Sequence, residues 1–187
     1  MKKTGGIKHI LAMTAIIFLW EMILFLVSGC ARIPLSYSPG TINKLSGSLS
    51  ISDFKYVPAE IGKVKPFQIR NTSLGSLKFD KNIDTFFRNA VIAELSSAGI
   101  KTGNNNLVLG GDVEDFLIDE LSISADWTLK VNYSVKNLQT GKTLYESTKI
   151  TKRNASKLVN ISTAVNEMIK LNIEELFKDE DFLKTIK

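Results

Sequence analysis

Residues 127–135, WTLKVNYSV, alternate between apolar and polar side chains without a break. In an extended chain the apolar members of this run share one side: Trp127, Leu129, Val131, Tyr133 and Val135. The period of two predicts a β-strand that buries one face and leaves the other in water. Turn-forming residues 137–142 follow, so residues 143–151 are predicted to return beside this strand as a hairpin.

A helix is predicted before the hairpin, at residues 82–98. Its apolar side chains recur at helical spacing, and Asp84 lies in the first turn. Gly99 follows as the residue type that most easily ends a helix. Ile100 is then the apolar residue that often packs just beyond such an end.

A second helix is predicted after the hairpin, at residues 156–177. One helical face carries its apolar side chains: Leu158, Ile161, Val165, Met168 and Leu176. The tail at residues 178–187 keeps Phe182 and Ile186, which we expect to dock on the domain.

Two further strands are predicted upstream, at residues 46–57 and at the start of residues 107–123. The second contains Gly110-Gly111. This pair indicates a bulge or a close backbone approach, because the further glycines and the Lys-Ser or Lys-Thr pair of a phosphate loop do not follow. The order of strand, helix, strand, hairpin and helix predicts an α+β domain of two layers. We expect a mainly antiparallel sheet with two helices packed on one face.

Residues 58–80 lack a sustained period and contain two prolines and two glycines. They are predicted to form an irregular loop, longer than most connections in compact domains. Binding residues concentrate on such loops, although a plain surface connection is the alternative. A basic and aromatic set on this loop is suited to an anionic or lipidic partner: Lys63, Lys65, Phe67 and Arg70.

The first 29 residues are typical of an export signal. Lys2, Lys3 and Lys8 precede an apolar run at residues 10–27. A transmembrane helix is the alternative, since the run is close to the lower length limit of a membrane span. Glu21 weakens both interpretations, because a carboxylate within an apolar segment is costly to insert.

Four residues decide between an export signal and a transmembrane helix: Val27, Ser28, Gly29 and Cys30. They resemble the bacterial lipobox, in which an aliphatic residue and two small residues precede a cysteine. The resemblance implies cleavage before Cys30 and acylation of its thiol, and two or more acyl chains anchor a protein stably. Because Ala31 rather than aspartate follows, it also implies sorting to the outer membrane of a Gram-negative cell, facing the periplasm.

The boundary between anchor and domain is predicted from composition. Residues 31–45 contain two prolines, a glycine and several hydroxyl residues, which is typical of a tether. The predicted organisation is a signal peptide at 1–29, a lipidated terminus and flexible tether at 30–45, and one periplasmic domain at 46–187.

Composition excludes several classes of activity. The chain has 187 residues, one cysteine and one histidine, and His9 lies in the leader. Removing the leader takes three lysines and one glutamate from the 24 basic and 19 acidic residues, which leaves a net charge of +3. This mild charge argues against nucleic acid as a partner. Without imidazole or a second thiol, we expect a protein that is not an enzyme and holds no metal or cofactor.

Charge is unevenly distributed along the chain. Residues 102–129 carry acids and no base: Asp112, Glu114, Asp115, Asp119, Glu120 and Asp126. Residues 130–157 carry seven bases and one acid, Glu146. Neighbouring strands with complementary solvated faces explain this best. An acidic metal or partner site beside a basic, lipid-contacting face is one alternative, and a carboxylate pair for glycan cleavage within residues 112–120 is a weaker one.

The chain resembles the YajG-like family of bacterial lipoproteins in the order of its parts, which are lipobox, tether, helix, hairpin and final helix. The features shared with that family are Cys30, the helix end at 91–99, the strand at 107–113, the hairpin at 133–145 and the acidic ending with Phe182, Leu183 and Ile186. The resemblance implies an accessory or binding module of the envelope, with a membrane and an envelope protein as partners and without catalytic residues.

A second resemblance is to the auxiliary lipoproteins of ABC-type lipid or solute transport systems. They share the anchor and the layout. Their aromatic-rich stretch at the first helix is replaced here by Asp84-Thr85-Phe86-Phe87.

Overall fold

Seven strands and four helices occur in the part of the chain that the computed structural model describes, residues 32–40, 44–120, 124–156 and 160–187. In chain order the strands are β1 (Ser48–Tyr56), β2 (Gln68–Asn71), β3 (Gly75–Lys78), β4 (Lys101–Thr102), β5 (Leu107–Asp119), β6 (Ser124–Asn137) and β7 (Thr143–Ser156). The helices are α1 (Val57–Glu60), α2 (Ile83–Ser97), α3 (Ile161–Phe177) and α4 (Glu180–Thr185). The predictions for the leader, for Val27 to Cys30 and for Leu158 lie outside the described residues.

β5 is the centre of the sheet. On one side it pairs with β6 along its whole length, and β6 pairs in turn with β7. On its other side β5 pairs with β1 over residues 108–113 and with β2 at residues 117 and 118. β4 extends the sheet beyond β1, and β3 extends it beyond β2.

The sheet is mixed, so the prediction of a mainly antiparallel sheet is wrong. β1 runs parallel to β4 and β5, and β2 runs parallel to β5, whereas the three remaining pairings are antiparallel. Parallel pairing is possible because α1, β3 and α2 return the chain between these strands. Alternation within a strand indicates which side chains are buried and not which way its neighbour runs. That both long helices cover one face stays a prediction.

The alternating run of β6 is buried as predicted. Each of its apolar side chains is at most 3% exposed: Trp127, Leu129, Val131, Tyr133 and Val135. β7 extends to Ser156, five residues beyond the predicted strand, because β6 continues to pair with it as far as Ser124. α2 contacts β1, and α3 contacts β6 and β7, so both long helices contribute to the core.

One buried amide joins α3 to the sheet, and the sequence analysis missed it. Asn172 is fully buried and accepts a hydrogen bond from the Tyr133 hydroxyl at 2.8 Å. Its amide group donates to the Thr151 hydroxyl at 3.1 Å. Because both ends of the amide are paired inside the core, any rotation of α3 would leave polar groups unsatisfied.

The predicted helix end and the predicted docking of the tail are both confirmed. Gly99 has φ +89°, and the Ile100 N–H donates to the Leu95 carbonyl at 2.9 Å. This left-handed glycine with a following apolar residue is the expected termination of α2. At the other end of the chain, Phe182 is fully buried and Ile186 is 2% exposed.

Gly110-Gly111 marks a close backbone approach, as predicted. A Cβ atom at Gly111 would collide with the carbonyl oxygen of Asn132 on β6, and one at Gly110 would collide with the Ser52 hydroxyl on β1. Glycine is therefore required at Gly111 by the backbone of β6, whereas at Gly110 the obstacle is a side-chain hydroxyl.

Residues 58–80 do not form an irregular loop, so that prediction is wrong. α1 begins the region, and β2 and β3 pair as a hairpin with Gly75 at φ +74° in its turn. Asn71 stabilises the turn by accepting hydrogen bonds from the Ser73 and Leu74 N–H groups. Strands of four residues are too short for alternation to show, and β2 depends on pairing with β5, which is distant in sequence.

Candidate functional site

Residues 33–40, which we call the amino-terminal segment, lie against the domain. Ile33 forms a parallel bridge with Phe79, and the Ile33 carbonyl accepts from the Asp80 N–H at 3.0 Å. The Asp80 carboxylate in turn accepts from the Leu35 N–H at 2.9 Å, and the Leu35 side chain is 2% exposed. The start of the segment is thus fixed beside the strand end that leads from β3 to α2.

A buried carboxylate holds the other end of the segment. Glu94 of α2 is fully buried, and its Oε1 accepts from the Tyr37 hydroxyl at 2.6 Å and from the Gly40 N–H at 3.0 Å. Burial, together with this carboxylate, raises the pKa of Tyr37 well above its ordinary value. Two hydrogen bonds to one buried carboxyl group thus fix this end of the segment across α2.

Residues 33–40 were predicted to belong to a flexible tether over residues 30–45, whereas the structure packs them against the domain. The compact unit begins at Ile33 and not at residue 46. Prolines and a glycine in the segment indicate the absence of a helix or strand. The groups that bind the segment are 45 to 57 residues away in sequence, so no pattern within the segment could indicate its attachment.

Lysine side chains lie around the point where the segment meets the domain. Lys78 and Lys81 flank the bridge, and Lys81 Nζ donates to the Leu35 carbonyl at 2.6 Å. Lys65 is adjacent, because Gln68 pairs with Lys78 and its side chain accepts from the Lys65 N–H at 2.8 Å. We call the exposed lysines of this region the lysine rim: Lys63, Lys65, Lys78 and Lys81.

The structure divides the predicted partner-binding set. Lys63 and Lys65 belong to the rim. Phe67 is half-buried, and its carbonyl accepts from the Phe79 N–H at 2.8 Å. Arg70 is separate from the others, because its Nη2 lies 2.6 Å from both carboxylate oxygens of Asp115 on β5.

Lys78 and Lys81 were missed by the sequence analysis. Lys78 lies 13 positions after Lys65 near the end of the predicted loop, and Lys81 lies just beyond that loop. Both come close to Lys65 only through the pairing of β2 with β3. Predicting the β2–β3 hairpin would have shown that Lys78 lies near Lys65. The two strands of four residues are too short to show the alternation on which such a prediction depends.

The face of the sheet opposite the core, which we call the open face, is polar with exposed apolar residues. Its β6 side chains are Thr128, Lys130, Asn132, Ser134 and Lys136. On β7, Leu144 is 48% exposed and Ile150 is 54% exposed. A shallow groove of about 410 Å³ crosses the face, with both signs of charge from Lys55, Asp112 and Lys136 in its lining.

Two carboxylates of β5 form ion pairs with neighbouring strands, and one of these pairs joins the acidic segment to the basic segment. Glu114 lies 2.8 Å from Lys130 Nζ on β6, and Asp115 holds Arg70 on β2. Asp119 accepts from the Thr72 hydroxyl at 2.9 Å. Among the described residues, no three His, Cys, Asp or Glu side chains come together in a way that would hold a metal ion.

Within the described ranges, none of the helices has both the length and the apolar character needed to cross a membrane.

No family model matches the chain, and no curated protein matches it in sequence. Solved structures do match it. Protein XCC0632 from Xanthomonas campestris, described under the DUF330 family model, has a TM-score of 0.64 at 14% identity, over 83% of this chain and 97% of that one. The hypothetical protein CT253 from Chlamydia trachomatis has a TM-score of 0.52 at 11% identity, over 74% of this chain and 98% of that one.

Lipoprotein GNA1162 from Neisseria meningitidis is a more distant match, with a TM-score of 0.43 at 10% identity, over 71% of this chain and 99% of that one. The identities are low, so the similarity to XCC0632 and CT253 concerns the fold alone. The resemblance to the YajG-like family stays a prediction. The chain has the α+β fold of these two bacterial proteins.

Proposed function

We propose that this chain is a lipoprotein of the bacterial outer membrane, anchored by acyl chains on Cys30 and facing the periplasm. Its domain serves there as a non-enzymatic accessory or binding module of the envelope. The motif at Val27 to Cys30 supports the anchor.

The amino-terminal segment is the observation that carries this proposal. Its contacts with Asp80 and Glu94 begin three residues after Cys30, so an acylated terminus would hold a folded domain directly at the bilayer. One acyl chain binds only marginally, whereas the two or more implied by the lipobox give a stable anchor.

The open face supports the binding role. Leu144 and Ile150 are large apolar side chains exposed among polar ones on a strand at the edge of the sheet. Such a surface is suited to a protein partner, because apolar side chains supply contact energy and the polar surroundings supply specificity.

Replacing the cysteine tests the anchor. Cys30→Ser should leave a protein that carries no lipid and retains residues 1–29, whereas the wild type should be recovered from outer membranes with an acylated residue 30 at its amino terminus. Ser28→Ala is the matched control, because it keeps a small residue in the motif and should be processed normally. An unmodified amino terminus or an intact leader in the wild type, measured by mass spectrometry, would contradict the anchor.

Crosslinking tests the binding role separately. A photoreactive residue at Ile150 should capture a specific envelope protein in intact cells, whereas the same residue at exposed Asn89 on α2 should not. Equal capture from both positions, or none from Ile150, would contradict a binding role for the open face.

A further inference from the structure

We infer that the lysine rim is a membrane-contact surface, which lies on the anionic phospholipid bilayer that carries the anchor. This inference rests on the proposed acylation of Cys30. It adds an orientation: the domain meets the lipid with the edge where β2 begins and β3 ends.

The length of chain between anchor and domain restricts the geometry. Three residue steps separate Cys30 from Ile33, and a fully extended chain covers about 10 Å over that distance. Ile33 is fixed by its bridge to Phe79. The surface around Phe79 is therefore kept within about 10 Å of the headgroups to which the acylated residue is bound.

The rim lies on that surface. Lys78 directly precedes Phe79 and Lys81 follows it by two residues. Lys65 joins them because the Pro66 carbonyl accepts from the Ile83 N–H at 2.8 Å, which brings the α1–β2 connection against the start of α2. Lys65, Lys78 and Lys81 thus lie close to Ile33, three residues after Cys30 in the sequence.

Three acidic side chains of the same region, Asp80, Asp84 and Glu60, offset part of the charge of the four rim lysines and leave an excess of one positive charge. Asp80 accepts the Leu35 N–H, and Asp84 accepts the Thr85 hydroxyl at 3.0 Å in the first turn of α2, where a helix favours negative charge. Glu60 lies on α1, near Lys63. The lysines attract anionic headgroups, and this attraction extends over about one Debye length, 8 to 10 Å at physiological salt.

An exposed apolar side chain adds a second kind of lipid contact. Ile61 is 58% exposed and lies between α1 and Lys63. Basic residues beside an apolar side chain suit the boundary between headgroups and acyl chains, where each contacts its preferred surroundings. Charge, chain length and exposed apolar surface therefore favour the same occupant.

The test uses the full acylated protein in vesicles with a fluorescent probe on one introduced cysteine. Once acylated, Cys30 does not react with the probe. Asn82→Cys places the probe at the rim, and Asn82 makes no side-chain cap hydrogen bond that the change would remove. Gln139→Cys, in the exposed turn between β6 and β7, is the control.

A nitroxide on lipid headgroups should quench the Asn82 probe roughly threefold more than the Gln139 probe in vesicles containing phosphatidylglycerol. The difference should become smaller in vesicles of phosphatidylcholine alone and in Lys63→Glu/Lys65→Glu, where only the short chain to residue 30 keeps the rim near the headgroups. The pair Lys136→Glu/Lys142→Glu changes the charge equally at exposed positions elsewhere and should preserve the difference.

Equal quenching at both positions in an acylated protein would overturn the membrane-contact surface and leave the anchor intact. A protein found without acyl chains would instead overturn the anchor, and the orientation inferred from it would fall as well. Mass spectrometry of the same sample separates the two outcomes.

Discussion

The two ends of the domain are held to it by different kinds of contact. The amino-terminal segment is held by hydrogen bonds, of which those to the buried Glu94 are central, as well as by burial of the Leu35 side chain. The carboxyl-terminal residues are held by apolar burial, because Phe182 is fully buried and its ring lies 5.6 Å from that of Tyr145.

The two ends differ in the kind of substitution that would weaken their attachment to the domain. Apolar burial at the carboxyl terminus does not depend on charge, and losing it leaves a cavity. The polar contact at the amino terminus depends on one carboxylate, and losing it leaves two donors unsatisfied. Substitution of Glu94 should therefore loosen the end of the segment that contains Tyr37 and Gly40.

Phe182→Ala should have the largest effect on this comparison. Removing a fully buried ring should lower the free energy of unfolding by about 3–5 kcal/mol, measured by chemical denaturation. Leu183→Ala is the control, because Leu183 is only partly buried against the same core. Equal losses in the two variants would show that α4 is not held mainly through Phe182.

Glu94→Ala should have the next largest effect. The Tyr37 hydroxyl and the Gly40 N–H lose their acceptor, and the free energy of unfolding should fall by about 2 kcal/mol. Glu175→Ala on α3 removes a carboxylate that is half exposed and should change the free energy by less than about 0.5 kcal/mol. If the two variants were equally stable, the segment would not be held by Glu94.

Asp179→Asn should remove an acid-dependent part of the carboxyl-terminal attachment. Burial opposes ionisation of Asp179, but hydrogen bonds from Lys149 at 2.5 Å, from Tyr145 at 2.8 Å and from the Phe182 N–H outweigh it and lower the pKa to about 2. A lowered pKa stabilises the fold above the unfolded pKa of about 4, and that stabilisation is lost as the pH falls toward 2.

The wild type should therefore exceed Asp179→Asn by on the order of 2 kcal/mol at pH 7, and the two should converge near pH 2. Denaturation midpoints measured across this range test the prediction. A difference that did not shrink with falling pH would show that Asp179 acts without its charge.

Lys136→Asp should have the smallest effect. Lys136 is exposed on the open face, where neither kind of attachment operates. Its free energy of unfolding should stay within about 0.5 kcal/mol of the wild type, by thermal or chemical denaturation. A loss as large as that of Glu94→Ala would show that the open face contributes to the core.

The parts of the fold that were predicted from the sequence depend on residues that lie close together in the chain. Trp127 to Val135 alternate over enough residues to identify a buried face, and Gly99 with Ile100 identifies a helix end. Phe182 and Ile186 recur at helical spacing, so docking of the tail was also predictable.

What the sequence did not predict depends on distant residues. The attachment of Tyr37 to Glu94 joins residues 57 positions apart, and the surrounding prolines gave the opposite indication. The direction of β1 beside β5 follows from the crossover between them. Half of the lysine rim was predicted from composition, and the other half required the β2–β3 pairing.

Amide hydrogen exchange of the acylated protein tests the attached amino-terminal segment most directly. The Ile33 N–H donates to the Lys78 carbonyl, and the Leu35 and Gly40 N–H groups donate to the carboxylates of Asp80 and Glu94. These three N–H groups should therefore exchange at least about tenfold more slowly than in an unstructured chain. In Glu94→Ala, the Gly40 N–H should lose its protection. Exchange of all three groups in the wild type at the rate of an unstructured chain would show that residues 33–40 form a free tether.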